Sequence, residues 1–177
     1  MSEQPITLPV TIQTKEVKFA IMNKTHVTAR SLQAAGTINF EAAAHMQASE
    51  DAENSYELVR AINDAIAEVK VELGEYLDEN TTTTDNLIKA AVENGEAVVL
   101  NFKLPTNFNS SAADALGAGI HEFVVGRSIY AWYRQTNMTI ADACNKDAEL
   151  SLERAKKALY KRSRPARPTY SEEGEGD

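Results

Sequence analysis

A mostly α-helical protein is expected here: a small bundle with one long helix, a β-hairpin insertion and an extended C-terminal arm. Three features carry this expectation. Apolar residues recur at helical spacing from Val59 to Tyr76 and again after Asn109. An Asn94-Gly95 pair stands between two short apolar runs. A basic, proline-marked segment, SRPARPTY, follows the last helical pattern.

Size and composition set the limits. The chain has 177 residues, enough for one domain with an appendage. A hydrophobic fraction of 43% supports a buried core. The net charge of -8 argues against a dedicated nucleic-acid binder, which is normally basic, without forbidding a local basic patch. Cys144 is the single cysteine, so an intramolecular disulfide and a multi-cysteine zinc site are excluded. Its small neighbours on a helix face suit a buried structural thiol. Met1–Pro9 lacks the basic start and apolar run of a signal peptide, and no apolar run approaches the ~20 residues that span a bilayer. A protein that is intracellular or assembled inside a cell, without membrane contact, is the expectation.

Taken in order, residues Pro5–Ala20 look extended, with β-branched residues alternating at Val10 and Ile12 and with Pro9 marking an edge strand. Lys24–Gly36 is ambiguous, with a possible helical turn ended by Gly36. Asn39 is placed to cap a short helix, FEAAAHMQA. Ser49 or Asp51 then caps a long helix to about Asp78. Its apolar stripe is Val59, Ile62, Ile66, Val69, Leu73 and Tyr76, spaced alternately by three and four. Next, LIKAAV and AVVLNFKL flank ENGE and read as a hairpin on a type I′ turn, with Pro105 ending the second strand. Two strands alone are marginal, so the hairpin must pack on the bundle or pair further, with the N-terminal strand or with a neighbouring subunit. Asn109 or Ser110 caps a central helix, apolar on several faces, in which Gly117, Ala118, Gly119 and Gly126 permit close helix approach. Thr139 is placed to cap the last helix, whose stripe is Ala141, Cys144, Ala148, Leu152, Ala155 and Leu159. The division that follows is an extended segment over 1–38, a bundle over 39–162 with the hairpin at about 86–104, and an arm over 163–177 whose last residues are expected to be disordered.

No catalytic or cofactor motif stands up. His121-Glu122 opens like a zinc-protease motif, but no histidine follows four residues on, and a helix-borne histidine beside the core is the plainer reading. His26 and His45 lack partners at ligand spacing; Asp51 and Glu53, close to His45, read as helix N-terminal acids. Gly117-x-Gly119 lies inside a helix, with Glu122 where a dinucleotide fingerprint needs its third glycine. Neither a phosphate-binding loop nor a nucleophile elbow occurs. No cofactor, metal or enzymatic activity is expected.

Two charge patterns remain. Glu57, Asp64, Glu68, Glu72 and Glu75 line the long helix. Their plain reading is a solvated face; the sharper one is a wall facing a channel, which repels passing DNA phosphates. The basic cluster includes Arg154, Lys156, Lys157, Lys161, Arg162, Arg164 and Arg167. Cations complement a helix C-terminus, and a nucleic-acid patch would want more aromatic context than Tyr160 and Tyr170 provide. A docking arm accounts for more: arginine forks onto a partner's carboxylates, and Pro165 and Pro168 lower the ordering cost. The candidate partner contact is therefore Arg154, Lys157, Lys161, Arg162, Arg164, Pro165, Arg167, Pro168 and Tyr170.

The stretches KTHVTARSLQ (Lys24–Gln33), HMQASEDAEN (His45–Asn54), LPTNFN (Leu104–Asn109), IHEFVVGRSIYAWYRQTN (Ile120–Asn137) and RAKKALYKRSRP (Arg154–Pro165), in this order, carry a likeness. The chain resembles the head-to-tail adaptor (connector) proteins of tailed bacteriophages, in particular the small ring proteins of crAss-like and other Bacteroidetes phages. The resemblance covers most of residues 20–165 and rests on pattern more than on any one diagnostic motif. It implies a homo-oligomeric ring, typically of twelve copies, at the head-tail junction of a virion made in a bacterial host. The ring would dock on a portal protein, meet tail or further ring proteins, and stand close to genomic DNA without reading it. It also implies packing roles for Arg127, Tyr130 and Trp132. The alternative is a small helical module that binds protein or nucleic acid through its basic arm.

Overall fold

The computed structural model describes residues 5–78, 80–82 and 85–165, with the side chains of 52, 53 and 85–89 left aside. Within these residues a mostly helical bundle carries a two-stranded antiparallel sheet. The order is β1 (Ile6–Gln13), α1 (Thr14–Ala34), α2 (Phe40–Met46), α3 (Ala52–Glu72), α4 (Asp85–Asn94), β2 (Ala97–Leu104), α5 (Ala113–Tyr133) and α6 (Met138–Leu159).

The N-terminal segment is extended only as far as Gln13. Residues 14–34, expected to be extended or ambiguous, form the 21-residue helix α1. Its buried stripe is Thr14, Val17, Ile21, Thr25 and Ala29, and the two threonines disguise the helical period. Their hydroxyls are satisfied by hydrogen bonds both within the helix and to distant segments. Thr25 donates to the Ile21 carbonyl at 2.9 Å and accepts from the Ala48 N–H at 3.1 Å, while Thr14 donates to the Glu96 carbonyl. Gly36 does end this helix. At φ +71° it lets the Thr37 N–H reach the Leu32 carbonyl, closing a Schellman turn.

The hairpin over 86–104 is corrected in the same way. Asp85–Asn94 is helical, and Asn94-Gly95 is a helix end instead of a type I′ turn. Gly95 has φ +71°, and the Glu96 N–H bonds the Ala91 carbonyl at 2.7 Å. A positive-φ glycine serves a helix terminus as well as a hairpin, and only the long-range partner decides between them. That partner is β1, which pairs with β2 along its whole length, from Ile6 opposite Leu104 to Gln13 opposite Ala97. The N-terminal strand thus pairs within its own chain, and β2 has no need of residues 86–94. Val98, Leu100, Phe102 and Leu104 alternate into the core. Pro9 lies in an edge strand of the two-stranded sheet, as its missing N–H requires.

The long helix is shorter than expected, ending at Glu72 and followed by a 3₁₀ turn at Gly74–Tyr76. Its stripe is as read: Val59, Ile62, Ile66, Val69 and Leu73 are buried and Tyr76 is half-buried against the core. Asn39 caps α2 through the Ala42 N–H at 2.8 Å. Asn109 caps a 3₁₀ turn at Ser110–Ala112 that leads into α5. The cap of α6 is Asn137, two residues before the expected Thr139; its side chain accepts from the Ile140 N–H at 3.2 Å.

The pairing of α5 with α6 sets the geometry of everything that follows. A Cβ on Gly119 would lie 2.9 Å from the Ser151 carbonyl oxygen and 3.0 Å from the Ala155 nitrogen. A Cβ on Gly126 would lie 3.0 Å from the Cβ of Ala148. At Gly119 the close neighbours are backbone, so a side chain there would force the helices apart; at Gly126 a Cβ would press on the Ala148 methyl, a tighter contact than usual.

Candidate basic groove and arm root

Where α5 and α6 meet, near the N-terminal end of one and the C-terminal end of the other, the small residues leave a groove of about 610 Å³. Its floor includes Ala112, Ala115, Ala118, Gly119 and Ala158. Arg154, Lys157 and Lys161, exposed at successive turns of α6 and just past its end, stand along it. The sequence reading named these three cations, and the fold brings them together. It missed the floor, although Ala112, Ala115 and Gly119 are spaced as one face of a helical turn.

The charges around the groove are unequally engaged. Glu122, its one acidic lining residue, is held by Lys24 of α1 at 2.8 Å, and this bond keeps its carboxyl below the usual glutamate range. Lys157 lies 3.7 Å from Glu153, both well exposed, a contact that solvent screens. Arg154 and Lys161 make no ion pair among the described residues. Lys156, one residue from Lys157, points elsewhere and bonds Glu72 of α3 at 2.5 Å.

Past α6 the chain is held firmly for three residues. The Asn109 N–H donates to the Lys161 carbonyl at 3.1 Å, Phe108 and Arg162 form a bridge, and the Ser163 N–H donates to the Asn107 carbonyl at 2.8 Å. Arg162, expected at the partner contact, is exposed and turns one guanidinium nitrogen back on its own chain. It donates to the Leu159 carbonyl at 2.7 Å and satisfies the open end of α6. The rings of Tyr76 and Tyr160 meet edge to face at 5.8 Å, fastening this end of α6 to the turn after α3. A hydrogen bond with Tyr160, together with burial, pushes the Tyr76 phenol up to about 12. Arg164 and Pro165 are exposed. Arg167, Pro168 and Tyr170, and the acidic end after them, lie outside the described residues.

The acidic face of α3 divides in two. Glu68 bonds Arg127 of α5 at 2.8 Å, and Glu72 bonds Lys156, so these two acids fasten the bundle. Glu57 and Asp64, and Glu75 in the 3₁₀ turn beyond the helix, are exposed and make no ion pair among the described residues. Arg127 also donates to Asn145 and lies 4.9 Å from the centre of the Tyr130 ring. Trp132 donates its indole N–H to the Met46 carbonyl at 3.1 Å.

Histidine and cysteine are placed without a common centre. His26 bonds the Gln47 side chain at 3.1 Å. Among the described residues no group of three His, Cys, Asp or Glu side chains is arranged to hold a metal ion. Burial raises the Cys144 thiol above its ordinary value, which lowers its thiolate fraction. No helix among the described residues is long and apolar enough to cross a membrane.

No protein-family model, curated protein or solved structure matches this chain at a significant level.

Proposed function

We propose that this chain is a structural virion protein, a subunit of the head-to-tail adaptor ring of a tailed bacteriophage. It docks on the portal through its C-terminal arm and joins the portal to the tail. Its place is the head-tail junction, beside the DNA conduit, after synthesis in the host cytoplasm. Copies of itself and the portal are its partners, with tail or further ring proteins beyond.

The observation that carries the reading is the arm root. Residues 161–163 are bonded to 107–109 on the bundle, and the chain then departs with Arg164 and Pro165 exposed. A segment that is anchored where it leaves and basic beyond that point delivers its charges to a neighbour in a defined direction. This agrees with the element order and the sequence likeness on which the adaptor resemblance rests. The exposed acids Glu57, Asp64 and Glu75 suit a surface close to DNA that must not adhere to it. The rival reading, a module that binds nucleic acid through the arm, draws on Arg154, Lys161 and Arg164, cations that make no ion pair among the described residues.

Mass photometry of the full chain mixed with a portal ring from the same virus tests the proposal. The adaptor reading gives a complex many times the mass of one chain, and truncation after Pro165, which keeps the arm root, abolishes it. If the full chain stays monomeric with its portal and instead binds DNA in a salt-dependent way that the truncation removes, the rival reading takes its place.

A further inference from the structure

We propose that the groove between α5 and α6 is a receptor for an acidic peptide, and that its resident occupant is the chain's own C-terminal segment Glu172–Asp177, which folds back across Arg154, Lys157 and Lys161. The inference goes beyond the adaptor reading and holds whether or not the arm's partner is a portal.

Three observations bear on it. The first is charge. Among the described residues the groove presents two cations without an ion pair and a third in a screened one, while its own acid, Glu122, is already taken by Lys24. The last seven residues, SEEGEGD, carry four carboxylates and no cation. The second is shape. The floor is built of alanines and a glycine, so an extended backbone can lie close to the helices while its carboxylates reach outward to the rim. Gly174 and Gly176 alternate with the acids and keep such a strand narrow.

The third is reach. Lys161 lines one end of the groove, and the described chain ends only four residues later, at most about 13 Å away at full extension. Seven more residues lead to Glu172, up to about 24 Å. From Lys161 to Arg154 is roughly 10 Å along the helix. A returning tail is therefore long enough to span the groove. Each ion pair is weak by itself in water. A short tether supplies a local concentration in the millimolar range, enough for several weak pairs to hold the segment together.

The test is zero-length carbodiimide cross-linking of the full chain in an equal mixture of isotopically light and heavy protein, read by mass spectrometry. Lys156 is the internal control, since it adjoins Lys157 in sequence but faces Glu72. Docking predicts amide products from Glu172, Glu173, Glu175 or Asp177 to Lys157 and Lys161, each within a single isotope. The Lys157 product should exceed that of Lys156 several-fold, and full-chain Arg154→Glu should bring it down to the Lys156 level. Equal yields at Lys156 and Lys157 would overturn the proposal. So would a Lys157 yield indifferent to Arg154→Glu, or a predominance of mixed-isotope products, which would place the tail on a second copy. No portal is present in this experiment, so its failure leaves the adaptor reading untouched.

Discussion

The two sides of α6 are built on opposite principles. Toward α5 it presents Ala141, Ala148, Ala155, Ala158 and Leu159, all buried, against glycines that bring the backbones nearly into contact. Along the rim of the groove it shares with α5 it presents Arg154 and Lys157, exposed and, for Arg154, without an ion pair among the described residues. The first side leaves no room for change and contributes stability. The second contributes almost none, because exposed charges gain little in water, and is free to serve a partner. One helix therefore carries a packed side that holds the fold and a charged side that does not, and substitutions on the two should give different phenotypes.

The largest effect is expected where the helices touch. Gly119→Val places side-chain atoms against the Ser151 carbonyl and the Ala155 nitrogen, which are backbone and have nowhere to go. Overpacking of this kind should cost ~3 kcal/mol, seen as a lower midpoint in urea denaturation. A smaller loss follows from Arg127→Ala. Its guanidinium joins Glu68, Asn145 and the Tyr130 ring, and so holds α3, α5 and α6 together while only partly exposed. Its removal should cost about 1–2 kcal/mol in the same measurement. On the other side of α6, the combined change Arg154→Ala, Lys157→Ala and Lys161→Ala should move stability by no more than about 0.5 kcal/mol. A large loss there would erase the division between the two sides.

The smallest effect is one of pH. Lys24 holds the Glu122 carboxyl below its ordinary value, so the pair's contribution is present above the ordinary glutamate range and fades as pH falls through the lowered value. Both groups are about half exposed, so the contribution is slight. In an NMR titration of the Glu122 carboxyl, Lys24→Met should return the midpoint to the usual range. A midpoint that does not move would assign the lowering to something other than Lys24.

How much of this was legible in the sequence follows from whether the deciding contact was local. The stripe of α3, the caps at Asn39 and Asn109, and the close approach at Gly119 and Gly126 are written in residue type and spacing. The strand Ala97–Leu104 is read correctly, and of the partners expected for it the N-terminal strand is the one it takes, whereas residues 86–94 are helical instead of its hairpin mate. The Asn94-Gly95 pair gives the same local signal for a hairpin turn and for a helix end, and β1, more than eighty residues away, settles the choice. Helix α1 was hidden for a different reason. Thr14 and Thr25 occupy core positions and look polar until their hydrogen-bond partners are known. At the candidate site, the cations Arg154, Lys157 and Lys161 could be picked out by charge alone, whereas the groove they border could not. Its floor comes from two helices and exists only once they are packed. The role of Arg162 in closing α6 was likewise invisible, because an arginine past a helix end can turn either back or outward.

The claim at the centre of this account is that the basic arm, leaving from an anchored root, joins this chain to a portal ring. The most direct measurement is mass photometry of the full chain with its portal, beside the chain truncated after Pro165. The account predicts a ring-sized complex with the full chain, and none with the truncated one, although circular dichroism shows both equally folded. A truncated chain that assembles on the portal as well as the full one would contradict it.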